Sequence, residues 1–321
     1  MLLVIDKYIP FPDSLPIDGL EIVALEPEAI TTSDAVRHAD ALFVRTRTAV
    51  NESLLADSTV QFVATATIGY DHIDTAYCES HGIEWISCPG CNAQAVCDYV
   101  EAILDHVATL KPLSSHSQLG VVGVGHIGSL VAQMAKRKGW DVLLNDPPKN
   151  IGVSLDEIAE NCDIITFHTP ITFAPEQYPT FHLCDEAFLR RCKPDALIIN
   201  AARGGIVDEQ ALLKTGHKCV IDCWENEPHI NKDLLLSPQT ILASYHIAGY
   251  SQQGKINASQ MCLDGFCKHF GLSALTIKKK SLPLHAENKG DSQPGWLNRI
   301  TEQLKAHPEN FEQLRKQYKL R

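Results

Sequence analysis

The stretch 119–139, "LGVVGVGHIGSLVAQMAKRKG", decides the fold. It opens on a short apolar run, as expected of a strand buried on both faces. Gly123, Gly125 and Gly128 follow in G-x-G-x-x-G spacing, and Ile127, Leu130, Val131 and Met134 then recur at helical intervals. Glycine turns are common, so the spacing alone says little; placed between a strand and a helix, it reads as a dinucleotide-binding turn. The first glycine permits the tight turn, the second lets a pyrophosphate approach the backbone, and the third allows close packing of helix on strand. The helix start, His126 and Ile127, presents unpaired backbone N–H groups to an anion. Asp146 closes the next apolar run, "DVLLND", where an acid binds the adenosine ribose hydroxyls. A carboxylate there repels a 2′-phosphate, so NAD is expected over NADP.

Outward from this stretch the pattern repeats. "DIITFH", "ALIINAA", "CVIDCW" and "TILASYH" are strand-like runs separated by helical or loop segments. Apolar strands alternating with helices predict a doubly wound parallel sheet. The first ninety residues do the same on a smaller scale, with "LLVID", "EIVAL", "ALFVR", "FVATA" and "EWISC" as strands and helical pieces near 32–38 and 51–55. The expected class is α/β, with two Rossmann-like or flavodoxin-like domains. Residues 92–111 carry Val96, Val100, Ile103, Leu104 and Val107 at helical spacing and bridge the halves. The expected division is 1–92 with 255–277 as a discontinuous substrate-binding domain, 93–254 as the NAD-binding domain, and 278–321 as a C-terminal tail.

The chain has 321 residues, 45% of them apolar and 21% charged, as in an ordinary globular protein of two domains. A net charge of −11 argues against nucleic acid as a partner and leaves any anionic substrate to locally placed Arg or Lys. Eleven cysteines at irregular spacing read as free thiols in a reducing compartment. The N-terminal "MLLVIDKYIP" lacks a basic n-region and a cleavage site, and no apolar run is long enough to span a membrane, so a cytoplasmic protein without a membrane partner is expected.

Ligands of open α/β sheets bind outside the carboxyl ends of the strands. "ALIINAA" runs into Arg203, "CVIDCW" into Glu227, and "TILASYH" ends on His246. An Arg fork holds a carboxylate through two hydrogen bonds. A His takes a hydroxyl proton, and a carboxylate beside the imidazole orients it. Singly, each has a plain alternative: a capped sheet edge, a surface charge, a satisfied core histidine. Jointly, at one edge, they describe oxidation of a 2-hydroxy acid to a 2-oxo acid. Cys88 and Cys91 form a C-x-x-C, but no second pair with ligand spacing exists, so no metal is expected.

"GVVGVGHIG", "FHTPIT", "NAARGGIVDEQALL", "DCWENEP" and "HIAGY" resemble, in order and spacing, the D-isomer-specific 2-hydroxyacid dehydrogenases over about residues 1–275. The resemblance implies two α/β domains flanking an NAD-binding cleft. It implies Arg203 on the substrate carboxylate, His246 as acid–base and Glu227 as its partner. Thr169, Ala202, Asp222 and Gly249 would line the dinucleotide site with Asp146. "VRTRTAVNESLLA", "FVATATIGYDHID", "PGCNAQAV" and "NDPP" narrow the match to members that oxidise 4-phosphoerythronate in vitamin B6 (pyridoxal phosphate) biosynthesis. By that likeness Thr46, Thr67 and Tyr250 touch substrate, and the protein is a homodimer. Those members carry an additional C-terminal dimerisation domain, of which 278–321 resembles a reduced piece. The 4-phosphate needs cations, for which Arg45 and Arg47 are candidates, with Arg315 or Arg321 as further contributors. Competing readings are another D-2-hydroxyacid dehydrogenase, such as one for 3-phosphoglycerate, and an NAD(H)-sensing binding protein.

Overall fold

Strands β1 (Leu2–Asp6), β2 (Glu21–Leu25), β3 (Ala41–Val44), β4 (Phe62–Thr65) and β5 (Glu84–Ile86) form a parallel sheet in the order β2-β1-β3-β4-β5. The computed structural model describes residues 1–110, 117–278 and 295–319; Arg321 lies outside them. Every residue of β3 and β4 is buried, because both faces of the sheet are covered. Leu3, Ile5, Phe43 and Phe62 pack with Ile256, Leu263 and Phe266 of the helix Gln252–His269. Val4, Leu42 and Val63 point the other way, onto Ile30, Val36 and Leu55 of three short helices. This is the two-residue alternation of a strand, and the strand order is that of flavodoxin-like sheets.

The second unit holds β6 (Gln118–Val122), β7 (Asp141–Asp146), β8 (Ile151–Gly152), β9 (Ile164–Phe167), β10 (Leu197–Asn200), β11 (Lys218–Ile221) and β12 (Thr240–Ala243). They form a 7-stranded sheet in the order β12-β11-β10-β9-β6-β7-β8. All neighbours run parallel except β8, which pairs antiparallel with β7. The strand β8 has no counterpart in the sequence reading, since two residues carry no periodicity. From β6 the chain builds one way through β7 and the other way through β9, so the glycine turn after β6 lies at the point where strand order reverses.

The compact units are 1–92 with the chain from Ser251 to residue 278, and 93–250 with 295–319. The helix Ala93–Leu110 belongs to the second, where Val96, Val100, Ile103 and Leu104 enter the core. The described part of the C-terminal segment is integrated rather than a loose tail. Trp296, Leu297, Ile300 and Leu304 of the helix Trp296–Ala306, and Phe311 of the helix Phe311–Gln317, are buried in the same core. Thr301 Oγ1 accepts the Ala243 N–H of the edge strand β12 (2.9 Å), with its one proton shared between the carbonyls of Leu297 (2.8 Å) and Ala243 (3.1 Å). That covers an edge otherwise open to pairing with another chain.

All eleven cysteines are free and buried. The Cys88 thiol donates to the Ala258 carbonyl and lies 3.7 Å from Cys262 Sγ, while burial pushes the Cys91 thiol up to about 12. These are small core side chains. Among the described residues no helix is long and apolar enough to cross a membrane.

Candidate active site

The three glycines after β6 each meet a different steric demand. Gly123 has φ +89°, in the left-handed region that favours glycine. A Cβ at Gly128 would lie 1.9 Å from the Gly123 carbonyl oxygen, so the helix His126–Arg137 starts against the turn only because that atom is missing. A Cβ at Gly125 would meet nothing within 4 Å, leaving the backbone open to a ligand. His126 is exposed and Ile127 half-buried at the helix start. Asp146, at the end of β7, accepts the Val124 N–H through Oδ2 (2.8 Å), with Lys149 Nζ 3.2 Å from the same oxygen. Thr169, just past β9, has a buried hydroxyl with no hydrogen-bond partner. Open backbone, a helix start, an acid at the neighbouring strand end and an unsatisfied hydroxyl together fit a dinucleotide.

Beyond β10 the chain turns sharply. A Cβ at Gly204 would lie 1.9 Å from the Trp224 carbonyl oxygen, and Gly205 has φ +80°. Asn200 donates to the carbonyls of Arg203 (2.9 Å) and Cys223 (3.0 Å), tying the ends of β10 and β11 together. The buried Ala202 accepts from Arg203 Nη1 (2.8 Å), which fixes the guanidinium against its own backbone. After β11, the Trp224 indole is buried and donates to the Ser244 carbonyl, while the Trp224 backbone N–H donates to Glu227 Oε1 (2.9 Å). The Glu227 carboxylate thus folds back beside His246: Nδ1 lies 2.8 Å from Oε2 and 3.1 Å from Oε1.

His246 has φ +58°, uncommon for a residue with a side chain and of a kind that persists only where surrounding contacts hold it. Asp222 supplies them. It is 1% exposed; Oδ1 accepts from Ser244 Oγ (2.6 Å) and Ile247 N–H (2.8 Å), and Oδ2 from Ala248 N–H (3.0 Å). Its backbone carbonyl takes the His246 N–H at 2.9 Å. The Asp222 carboxylate therefore faces inward and shapes the 244–248 turn. Gly249 and Tyr250 follow, half-buried, with Tyr250 Oη accepting from Arg315 Nε at 2.9 Å.

Two further acids support this edge without having been singled out in the sequence. Glu209 is 4% exposed and accepts the Glu225 N–H (2.8 Å); burial, with Glu225, Glu227 and Asp208 nearby, raises its carboxyl to about 7. Glu225 in turn lies 3.0 Å from His182 Nε2. The ligating atoms of Cys223, Glu227 and His246 lie within 4.8 Å of one another, in principle a metal-sized cluster. Burial holds the Cys223 thiol well above its usual range, and it donates to Asp222, so it is a neutral thiol and a poor ligand.

The other candidate residues lie in the first unit, at the carboxyl ends of adjacent strands. Arg45, Thr46 and Arg47 follow β3, with Thr46 exposed; Thr67 follows β4, its hydroxyl donating to the Gly69 carbonyl (2.8 Å). The Arg47 guanidinium stands over the Tyr8 ring at 5.9 Å, beyond the end of β1. Lys255, absent from the sequence reading, joins them: burial, and then the charge of Arg45, lower its ammonium to about 8. The buried Asp6 carboxylate carries the opposing charge beside Arg45, Arg47 and Lys255. Only the return of the helix Gln252–His269 to this sheet brings Lys255 here, which its own neighbours in sequence do not announce.

Comparison with known proteins shows the family. Residues 105–248 match the family described as D-isomer specific 2-hydroxyacid dehydrogenase, NAD binding domain. An erythronate-4-phosphate dehydrogenase of Bacteroides thetaiotaomicron is 41% identical over all of this chain and 97% of its own length. One from Porphyromonas gingivalis is also 41% identical, over 85% of this chain and 76% of its own. Among solved structures, NAD-bound 3-phosphoglycerate dehydrogenase of Entamoeba histolytica superposes with a TM-score of 0.65 at 22% identity, covering 87% of this chain and 99% of that one.

Proposed function

The chain belongs to the D-isomer-specific 2-hydroxyacid dehydrogenases, NAD-dependent enzymes, and from that premise we propose that it oxidises 4-phosphoerythronate to its 2-oxo acid in pyridoxal phosphate biosynthesis. The substrate is carried over from relatives about 40% identical along the whole chain. The observation that carries the chemistry is the His246–Glu227 pair, 2.8 Å apart at the end of β12 and beside the turn of Arg203.

NAD, held by the glycine turn after β6 and by Asp146, would supply the hydride acceptor for C2. The protein's own groups handle everything else. Glu227 accepts a hydrogen bond from Nδ1–H, which leaves the Nε2 lone pair of His246 to take the C2 hydroxyl proton. The imidazolium formed is stabilised by the same carboxylate. Arg203 binds the substrate carboxylate and orients C2. Gly123, Gly125, His126, Ile127, Gly128, Asp146, Thr169, Ala202 and Gly249 hold the dinucleotide, with Asp222 acting from beneath. Thr46, Thr67 and Tyr250 contact the substrate, while Arg45, Arg47 and Lys255 receive its phosphate.

The test is NADH formation by purified protein from 4-phosphoerythronate, 3-phosphoglycerate and unphosphorylated erythronate. We expect kcat/KM to be highest for 4-phosphoerythronate. Preference for 3-phosphoglycerate would assign another substrate, and NADH binding without turnover of any hydroxy acid would make the protein a sensor. Arg45→Ala should weaken the phosphorylated acid at least tenfold more than the unphosphorylated one, and equal losses would remove Arg45 from the phosphate site.

A further inference from the structure

The helix Phe311–Gln317 carries one residue that reaches the catalytic edge. Its first residue, Phe311, is fully buried in the core of the second unit, which fixes the helix in place. From that anchor Arg315 extends toward the turn after β12. Arg315 Nε donates to Tyr250 Oη at 2.9 Å, and the guanidinium stands 5.7 Å from the centre of the same ring. Nη1 lies 3.3 Å from Glu312 Oε1 on its own helix. Tyr318 packs edge-on against Tyr245 at 6.1 Å and tilted against Tyr250 at 6.3 Å, so aromatic contacts from the C-terminal segment bracket His246 in sequence. Burial opposes the charge of Arg315, but Tyr250, Glu227 and Glu312 outweigh it and raise its pKa, so the residue is a permanent cation.

We propose that Arg315 is a positioning residue of the active site, which fixes the Tyr250 hydroxyl as a hydrogen-bond donor to the anionic substrate. The reasoning is one of donors and acceptors. A guanidinium can only donate, so Tyr250 Oη must accept from it. The phenol's single proton is then directed away from Arg315, and the adjacent charge makes that O–H a stronger donor. The proposal rests on the assignment of Tyr250 and His246 to the substrate site. It gives the C-terminal helix a part in recognition beyond covering the sheet.

The experiment is a double-mutant cycle of Arg315→Met and Tyr250→Phe, with Arg315→Lys as the conservative variant. The substrate KM, the kcat, the NADH Kd and the Tm are measured for each. Arg315→Met should raise the KM for 4-phosphoerythronate about tenfold, the scale of one charge-assisted hydrogen bond, with NADH affinity unchanged. Arg315→Lys should recover part of the loss. In the Tyr250→Phe background, Arg315→Met should add less than twofold, since both act through one hydroxyl. A lowered Tm with unchanged KM, or effects that multiply in the double variant, would overturn the proposal. If wild type oxidises no hydroxy acid, the same cycle is read from oxalate binding to the NADH complex. Coupled losses there support Arg315 while the proposed reaction falls, and independent or absent losses overturn Arg315 as well.

Discussion

His246 combines a left-handed backbone, a carboxylate partner at 2.8 Å and a place at a strand end. His246→Asn keeps a polar side chain but no base, so kcat should fall by about 10²–10⁴ while NADH binds as before; turnover near wild type would end the acid–base assignment. Glu209 makes a pH prediction. Its folded carboxyl titrates at about 7 against an ordinary 4.5, so between those values the folded state holds more protons than the unfolded one. Stability is therefore lost as pH rises through that window. Glu209→Gln keeps an acceptor for the Glu225 N–H and removes the buried charge. It should be more stable than wild type at pH 8 by on the order of 2–3 kcal/mol, with the gap closing by pH 5. A Tm difference independent of pH would contradict this. At this scale the sequence offers Arg203, Glu227 and His246 as candidates, because each follows an apolar run. It hides the inward use of Asp222 and the burial of Glu209, which depend on how the loops after β10, β11 and β12 fold over one another.

The turn between β6 and its helix separates two roles of glycine. Gly128→Ala would press a methyl 1.9 Å from the Gly123 carbonyl, so it should lower Tm together with NADH affinity. Gly125→Ala meets nothing within 4 Å and should leave Tm within a degree or two of wild type while weakening NADH binding at least tenfold. Calorimetry and NADH fluorescence titration check both, and equal effects of the two substitutions would refute this division of roles. Continuous apolar runs and helical spacing make the main strands and the helices Ala93–Leu110 and His126–Arg137 legible from the sequence. The strand β8 is too short to carry a pattern. The helix Trp296–Ala306 docks on β12 through Trp296, Leu297, Ile300 and Leu304 and through Thr301, a long-range pairing that no local pattern encodes.

The whole chain bears −11, yet Arg45, Arg47 and Lys255 gather at the carboxyl edge of the first sheet. Free Lys255 loses its proton as pH rises through about 8, so the KM for a phosphorylated substrate should climb above that pH. Lys255→Met should raise KM below pH 8 and flatten the rise; an unchanged profile would remove Lys255 from the phosphate site. The two sheets were readable from their apolar runs, apart from the antiparallel β8. The cation cluster was only half readable, because residues 45 and 255 meet through the return of the helix Gln252–His269 to the first unit. Removal of hydride from C2 of 4-phosphoerythronate is tested with substrate deuterated at C2. Mass spectrometry of the NADH formed should show one deuterium per molecule, whereas unlabelled NADH, or none, would contradict the account.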